Sequence, residues 1–265
     1  MSDLNVCLLP LEIVWGDKEA NFNSLENALK RIHPDTDLVV LPETFSTGFP
    51  MAPKDEIRPL AERNSGPTVE YLKVLAHRYN VALAGTFVAD TGGSLYNRAF
   101  VIEPSGEETF ADKRHLFSMA KEHERFSRGY DRLHVRYRGW EIAMVVCYDI
   151  RFPAWCRNVS NEYDLLLVVA NWPKVRVDAW NKLIPARAIE NEAYVCAVDC
   201  KGTDPNGFEY DGSSMAVDFK GKDITVRTDD GLLYAKLSKD ALERFRTKFP
   251  AYLDADRFTI DLHPE

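Results

Sequence analysis

Residues 143–153 read AMVVCYDIRFP, and this stretch decides the class of fold. A run of apolar residues leads directly into Cys147, and Pro153 then marks a turn that enters a helix. A similar run, DLLLVVANWP, occupies residues 164–173. Short apolar runs of this kind are typical of strands that are buried on both faces by covering helices. The pattern predicts an α/β protein with Cys147 at the carboxyl end of a strand.

Outward from this stretch, strand and helix patterns alternate along the chain. Residues 224–237, ITVRTDDGLLYAKL, predict a hairpin that is followed by an amphipathic helix. Such alternation indicates layers of helices packed on sheets. Further strands are predicted at residues 5–10, 37–43, 81–88, 98–104 and 194–200. Helical spacing relates Phe22, Leu25, Leu29 and Ile32, and again Val69, Leu72, Ala76 and Tyr79.

Composition limits the kind of partner. The chain has 265 residues, of which 45% are hydrophobic and 28% charged, so we expect one globular domain over residues 1–265. A formal net charge of −8 argues against a nucleic-acid partner. No apolar run approaches the ~20 residues that cross a bilayer, and the start lacks a basic segment. We therefore expect a cytoplasmic protein with a small-molecule substrate and no membrane partner.

The cysteines predict neither disulfides nor a metal site. There are five of them, an odd number, and no CxxC pair occurs. Cys196 and Cys200 lie in a strand-like segment without a second cysteine pair to complete a metal site. Free thiols in a reducing compartment fit this pattern, and neither a metal nor an organic cofactor is expected.

Charged residues lie at or after the ends of two of the predicted strands. A thiol with the usual pKa of about 8.5 needs a neighbouring base or cation before it reacts quickly at neutral pH. Glu43 ends the strand at 37–43, and Lys113 follows the strand at 98–104 and a polar turn. Taken singly, a glutamate in such a position is more often a solvated strand-end charge, and a lysine is more often a surface charge. His115 and His123 stay open as alternative partners of Cys147, as in a thiol protease.

Four motifs occur in an order that resembles the nitrilase, or carbon–nitrogen hydrolase, family. They are LPETFSTGF at 41–49, DKRHLF at 112–117, VVCYDIRFP at 145–153 and ANWP at 170–173. The resemblance extends to LIPARAIENEAYV at 183–195 and covers almost the whole chain. It implies a four-layer α-β-β-α sandwich of the nitrilase type, which commonly forms a homodimer through its helices.

The resemblance also implies an activity and a catalytic triad. It looks closest to the omega-amidase branch, which hydrolyses the terminal amide of dicarboxylic acid monoamides such as 2-oxoglutaramate or 2-oxosuccinamate to acid and ammonia through a cysteine thioester. Glu43, Lys113 and Cys147 then correspond to the family's Glu-Lys-Cys triad. The family's second glutamate falls on Glu122 in KEHERFSRG at 121–129, with Glu124 as the near alternative.

Electrostatics and hydrogen bonding complete the expected site. The backbone N–H of Tyr148, just after the nucleophile, is expected to donate to the oxyanion beside Lys113. A buried lysine with two carboxylates is also expected to lower the pKa of Cys147. For the far carboxylate of the substrate, Arg151, Arg176 or Arg187 are the candidate cations. Phe45, Tyr148 and Trp172 are the candidate pocket walls.

One departure and two competing functions remain. Pro185 interrupts the helical pattern of residues 180–191, so it is expected to kink that helix or to mark its start. Within the family, another small amide, an N-carbamoyl compound or a nitrile is the competing substrate. The alternative from another functional class is that the chain is a non-catalytic interaction protein on the same scaffold.

Overall fold

A computed structural model describes residues 3–262, and within them strands and helices lie at the positions that the sequence predicts, together with further strands that follow one another without an intervening α-helix. The strands are β1 Leu4–Leu8, β2 Leu38–Val40, β3 Ala82–Asp90, β4 Leu95–Ile102, β5 Glu108–Asp112, β6 Leu133–Tyr137, β7 Trp140–Val146, β8 Leu165–Ala170, β9 Tyr194–Asp199, β10 Lys201–Thr203, β11 Glu209–Asp211, β12 Met215–Val217, β13 Val226–Arg227 and β14 Leu233–Leu237. The α-helices are α1 Lys18–Leu29, α2 Lys54–Ile57, α3 Pro67–Tyr79, α4 Pro153–Cys156, α5 Val177–Asn191 and α6 Lys239–Lys248.

The strands form two large mixed sheets. The first has the order β13-β14-β1-β2-β3-β4-β5, and the second has the order β12-β9-β8-β7-β6. At the centre of each sheet three strands run parallel: β1, β2 and β3 in the first, and β7, β8 and β9 in the second. Parallel strands bring their carboxyl ends to one edge, which is where ligands bind in α/β sheets.

Alternate side chains along each central strand enter different layers of the core. In β1, Val6 and Leu8 face the apolar layer between the two sheets, and Cys7 faces the helices. Helices α1 and α3 cover the outer face of the first sheet, and α5 covers the outer face of the second. Burial on both faces explains why these strands are continuously apolar in sequence. The predicted four-layer α-β-β-α sandwich is confirmed.

Helix α5 runs through Pro185 without interruption from Val177 to Asn191. Proline has no backbone N–H, so the carbonyl oxygen of Asn181 loses its helical donor. Of the two outcomes expected from sequence, a kink or a helix start at Pro185, the structure rules out the helix start.

The C-terminal region follows the predicted hairpin and helix. Strand β13 pairs antiparallel with β14, and α6 follows, with the Ser238 side chain accepting a hydrogen bond from the N–H of Ala241. Between residues 3 and 262, no helix combines the length and the apolar character needed to span a membrane.

Candidate active site

The three side chains predicted to form a triad meet at the carboxyl ends of their strands. Glu43 follows β2, Lys113 directly follows β5, and Cys147 directly follows β7. The Nζ atom of Lys113 lies 2.9 Å from Oε1 of Glu43. All three side chains line one cavity of about 540 Å³. Because β2 and β5 belong to one sheet and β7 to the other, the site is assembled from both sheets.

Glu122 is the second carboxylate of this cluster. Its Oε1 accepts a hydrogen bond from Nζ of Lys113 at 3.0 Å, and its Oε2 accepts one from the backbone N–H of Phe117 at 2.6 Å. Glu122 is completely buried. The alternative, Glu124, is exposed and pairs with Lys121. The structure therefore brings Glu122, and not Glu124, to the lysine.

Burial and charge together set the protonation of the lysine. Burial lowers the pKa of Lys113, but the carboxylates of Glu122 and Glu43 outweigh this effect and hold the pKa well above its usual value. Burial raises the pKa of Glu122, and the charge of Lys113 opposes that rise. Lys113 is thus a permanent cation, which suits a group that stabilises negative charge on a substrate.

The electrostatic prediction for the nucleophile is wrong in direction. Burial raises the pKa of Cys147 well above its usual value; the nearby carboxylate of Glu43 raises it further, and Lys113 lowers it by less. Two carboxylates around one lysine leave the cluster with excess negative charge, which disfavours a thiolate. The resting thiol therefore keeps its proton, and any attack by the sulfur requires a base at the moment of reaction.

Two buried asparagines that the sequence interpretation missed hold Glu43 in place. Asn97 Nδ2 donates to Oε1 of Glu43 at 2.7 Å. The backbone N–H of Asn171 donates to Oε2 at 2.8 Å, and Asn171 Nδ2 donates to the carbonyl oxygen of Glu43 and to Oγ1 of Thr44. Both carboxylate oxygens are therefore fixed, one from each sheet. Asn171 belongs to the ANWP motif, so its position after β8 was the available signal.

Backbone geometry at the nucleophile is unusual for a non-glycine residue. Cys147 has φ +48° and begins a 3₁₀ turn that extends to Arg151. The carboxylate of Asp149 accepts a hydrogen bond from the N–H of Val146 at 3.0 Å and closes this turn. A left-handed cysteine after a strand is the strained arrangement that exposes a nucleophile at a sheet edge. Tyr148, whose backbone N–H is the predicted oxyanion donor, follows in the same turn and lines the cavity.

Neither histidine is placed to activate the thiol. Nδ1 of His115 lies 2.8 Å from Oδ1 of Asp149, and its ring stacks on Phe152 with centroids 3.7 Å apart. His123 is exposed. Among residues 3–262, histidine is absent from the lining of the cavity. The geometry therefore favours a carboxylate, and not a histidine, as the base beside Cys147.

The substrate-binding candidates divide into two groups. Arg151 and Trp172 line the cavity, and the Arg151 guanidinium lies 4.8 Å from the centroid of the Trp172 ring. Phe45 instead packs in the core against Phe100, with centroids 6.1 Å apart. Arg187 donates from Nε and Nη2 to the carbonyl oxygen of Ile150, at 2.9 and 2.6 Å, from the buried face of α5. Phe45 and Arg187 are therefore structural, and neither lines the cavity.

Three guanidinium groups give the cavity a cationic wall. Arg176 lies over the ring of Phe117, and Arg125, which the sequence interpretation did not single out, donates to the carbonyl oxygen of Ala120. Within the described part of the chain, Arg125, Arg151 and Arg176 form no ion pair with an aspartate or glutamate. Unpaired arginines that line a concave site are suited to bind a carboxylate.

Over residues 3–262, His, Cys, Asp and Glu side chains form no group of three or more that could hold a metal ion. All five cysteines are free, and Cys196 and Cys200 are buried.

A thiol, a lysine and a carboxylate line one cavity of this α-β-β-α sandwich, and a second carboxylate accepts a hydrogen bond from the lysine. This set of groups is typical of the class of hydrolases that use a cysteine nucleophile. Comparison with known families makes this class specific, since the carbon–nitrogen hydrolase family matches residues 5–247. The chain belongs to the carbon–nitrogen hydrolase family, and it is a hydrolase acting on carbon–nitrogen bonds other than peptide bonds.

Similarity to individual proteins extends over nearly the whole chain. The omega-amidase YafV of Escherichia coli strain K12 is 40% identical over 262 residues, which cover 98% of this chain and 100% of YafV. The 2-oxoglutaramate amidase of Bacillus subtilis is 29% identical and covers 94% of this chain and 96% of its own length. The crystal structure of XC1258 from Xanthomonas campestris, a CN-hydrolase superfamily protein with an arsenic adduct in its active site, superposes with a TM-score of 0.93 at 38% identity, covering 98% of this chain and 100% of XC1258.

Proposed function

We propose that this protein hydrolyses the terminal amide of small dicarboxylic acid monoamides, of the 2-oxoglutaramate and 2-oxosuccinamate type, to acid and ammonia. The observation that carries the proposal is the cavity itself, which is lined by Glu43, Lys113 and Cys147 and by arginines that form no ion pair within residues 3–262. Such a substrate has an amide at one end, which the thiol can attack, and a carboxylate at the other end, which the arginines can bind. The names of the YafV and Bacillus subtilis relatives support the same substrate class.

In the first half of the reaction, Glu43 accepts the proton of Cys147 as the sulfur attacks the amide carbon. The oxygen of the resulting tetrahedral intermediate carries a negative charge, which Lys113 Nζ and the N–H of Tyr148 stabilise. One such donor contributes about 3 kcal/mol to the transition state. Glu122 also accepts a hydrogen bond from Lys113, at 3.0 Å, so that the ammonium keeps its place when the substrate enters.

In the second half, Glu43 returns its proton to the leaving nitrogen. The C–N bond breaks, ammonia departs, and the acyl group stays on Cys147 as a thioester. Glu43 then takes a proton from a water molecule, whose oxygen attacks the thioester carbon. The C–S bond breaks, the acid is released, and Glu43 returns the proton to the sulfur.

The test is a coupled ammonia assay on a panel of amides. We expect release from 2-oxoglutaramate to exceed that from glutamine, asparagine, an N-carbamoyl amino acid and an aliphatic nitrile. Cys147→Ala is expected to abolish release with the fold intact, and Cys156→Ala, which changes another buried thiol, is the matched control. Near-normal turnover by Cys147→Ala would contradict the proposed chemistry.

The same panel tests the competing functions. Faster turnover of an N-carbamoyl compound or of a neutral amide would assign the site to another substrate of the family. If the panel gave no ammonia and Cys147 reacted with iodoacetamide no faster than the other thiols, the chain would be a non-catalytic interaction protein on this scaffold.

We further propose that the chain is a single domain that forms a homodimer in the cytoplasm. Exposed Ile189 on α5, with 54% of its surface accessible, supports a helix-mediated contact between two copies. Five free thiols support a reducing compartment. Light scattering after size exclusion tests the dimer, and Ile189→Lys is expected to shift it toward monomer.

A further inference from the structure

Asp199 is a buried carboxyl group that the proposed chemistry does not use. It is the last residue of β9, and 1% of its surface is accessible. Within residues 3–262 it forms no ion pair with a lysine, arginine or histidine. A carboxyl group in such surroundings is costly to keep and needs a specific hydrogen bond in return. Its Oδ1 accepts the backbone N–H of Trp172 at 2.7 Å.

Trp172 connects this carboxyl group to the base of the active site. The preceding residue is Asn171, whose N–H donates to Oε2 of Glu43 at 2.8 Å and whose Nδ2 donates to the carbonyl oxygen of Glu43 at 3.0 Å. On its other side, Trp172 Nε1 donates to the carbonyl oxygen of Arg176 at 2.8 Å. Two successive backbone N–H groups therefore point to two different carboxyl groups, and the direction of the first depends on how the second is held.

We propose that Asp199 is a positioning residue for Glu43, which acts by fixing the peptide of Trp172 and thereby the N–H that Asn171 donates to the base. This inference rests on the proposed role of Glu43. Misplacement of a reacting group by about 1 Å costs on the order of a hundredfold in rate. Glu43 is sensitive in this way because it exchanges protons with three different atoms in one turnover, namely the sulfur, the leaving nitrogen and the oxygen of water.

The charge state of Asp199 agrees with this role. Burial raises the pKa of Asp199 well above its usual range; the hydrogen bond from the N–H of Trp172 lowers it by less, and the negative charges of Asp211 and Glu43 raise it further. A neutral carboxyl group still accepts a hydrogen bond through its carbonyl oxygen, and it adds no negative charge beside Glu43. An amide of the same shape is therefore expected to replace it.

Three variants of Asp199 separate positioning from folding. Asp199→Asn retains the acceptor, whereas Asp199→Val and Asp199→Ala remove it; valine suits a buried strand and nearly fills the same space. The matched control is Ser214→Ala, since Ser214 Oγ accepts from the backbone N–H of Asp199, at 3.0 Å, without reaching Trp172. We expect at least a tenfold loss of kcat in Asp199→Val and Asp199→Ala, with KM within about threefold, and activity within threefold of wild type in Asp199→Asn and Ser214→Ala.

A second readout does not depend on the substrate. The rate at which iodoacetamide alkylates Cys147, followed by mass spectrometry across pH 6 to 9, requires Glu43 as base and should fall in the same order of variants. This rate separates failure of the present inference from failure of the proposed substrate class. The inference is overturned if a folded Val or Ala variant keeps its alkylation rate, if Asp199→Asn is as slow as they are, if Ser214→Ala slows equally, or if neither Val nor Ala variant folds, because Asp199 would then serve the fold alone.

Discussion

Replacing Glu122 by glutamine tests how the lysine is held. In the wild type, one carboxylate oxygen accepts from Lys113 and the other from the N–H of Phe117. A glutamine amide has one acceptor oxygen and one NH₂ group, so one of these two donors must face another donor. A hydrogen bond to a charged group contributes about 2 kcal/mol. If this loss is expressed in the transition state, kcat falls about 30-fold.

Ammonia release under saturating substrate gives kcat, and urea denaturation gives the free energy of unfolding. The matched control is Glu124→Gln, which makes the same chemical change two residues away on an exposed side chain. We expect the control to stay within twofold of wild type in both measurements. A Glu122→Gln protein that equals its control in kcat would refute the reasoning, because Lys113 would then be positioned by Glu43 alone.

Three further predictions concern the cavity, the thiol and the fold. Arg151→Met is expected to raise KM for a carboxylate-bearing amide at least tenfold while sparing a neutral amide, because it removes a cation from the cavity wall. The difference in absorbance at 240 nm between wild type and Cys147→Ser should stay flat from pH 6 to 9, because the pKa of the buried thiol is raised. The Tm of Asp199→Asn should rise relative to that of wild type from pH 4.5 to 7. The pKa of Asp199 is raised in the folded protein, so wild type loses folding free energy as pH rises above the pKa of about 3.9 that an aspartate has in the unfolded chain, whereas asparagine does not titrate.

Each of these predictions has a contrary result. Arg136 is exposed on another face, with 74% of its side chain accessible, so an equal KM change in Arg136→Met would remove the assignment of Arg151. A rise in absorbance centred below pH 8 would mean that Cys147 rests as a thiolate. A Tm difference between Asp199→Asn and wild type that does not change with pH would mean that Asp199 is ionised in the folded protein.

Strand ends are the part of the site that sequence predicts well. Glu43 and Cys147 each come after an apolar run, and a parallel arrangement brings such ends together whatever the loops between them do. Lys113 instead follows β5, a partly buried strand with the sequence ETFAD that the apolar pattern did not predict. The two-faced burial of β7 and β8 is also visible in sequence, since every residue of β8 is apolar and buried.

Side-chain direction beyond the strands could not be predicted in the same way. Phe45 lies two residues after Glu43, which would place both on one face of a continuing strand. Thr44 has φ +43°, however, and this left-handed residue turns the chain so that Phe45 enters the core under the helices. The predicted direction of the pKa shift of Cys147 was wrong for a related reason, since that direction depends on how completely the cluster is buried. The roles of Asn97 and Asp199 depend on contacts between residues far apart in sequence.

Asn171 and Glu43 bridge the two sheets, because one follows β8 and the other follows β2. The base and the thiol therefore follow strands of different sheets, and their separation depends on how the two sheets pack together. Turnover is therefore expected to depend on the alignment of the two sheets. A small shift between them would leave the circular dichroism spectrum unchanged and still abolish activity. Activity should therefore be lost at a lower denaturant concentration than the secondary structure is.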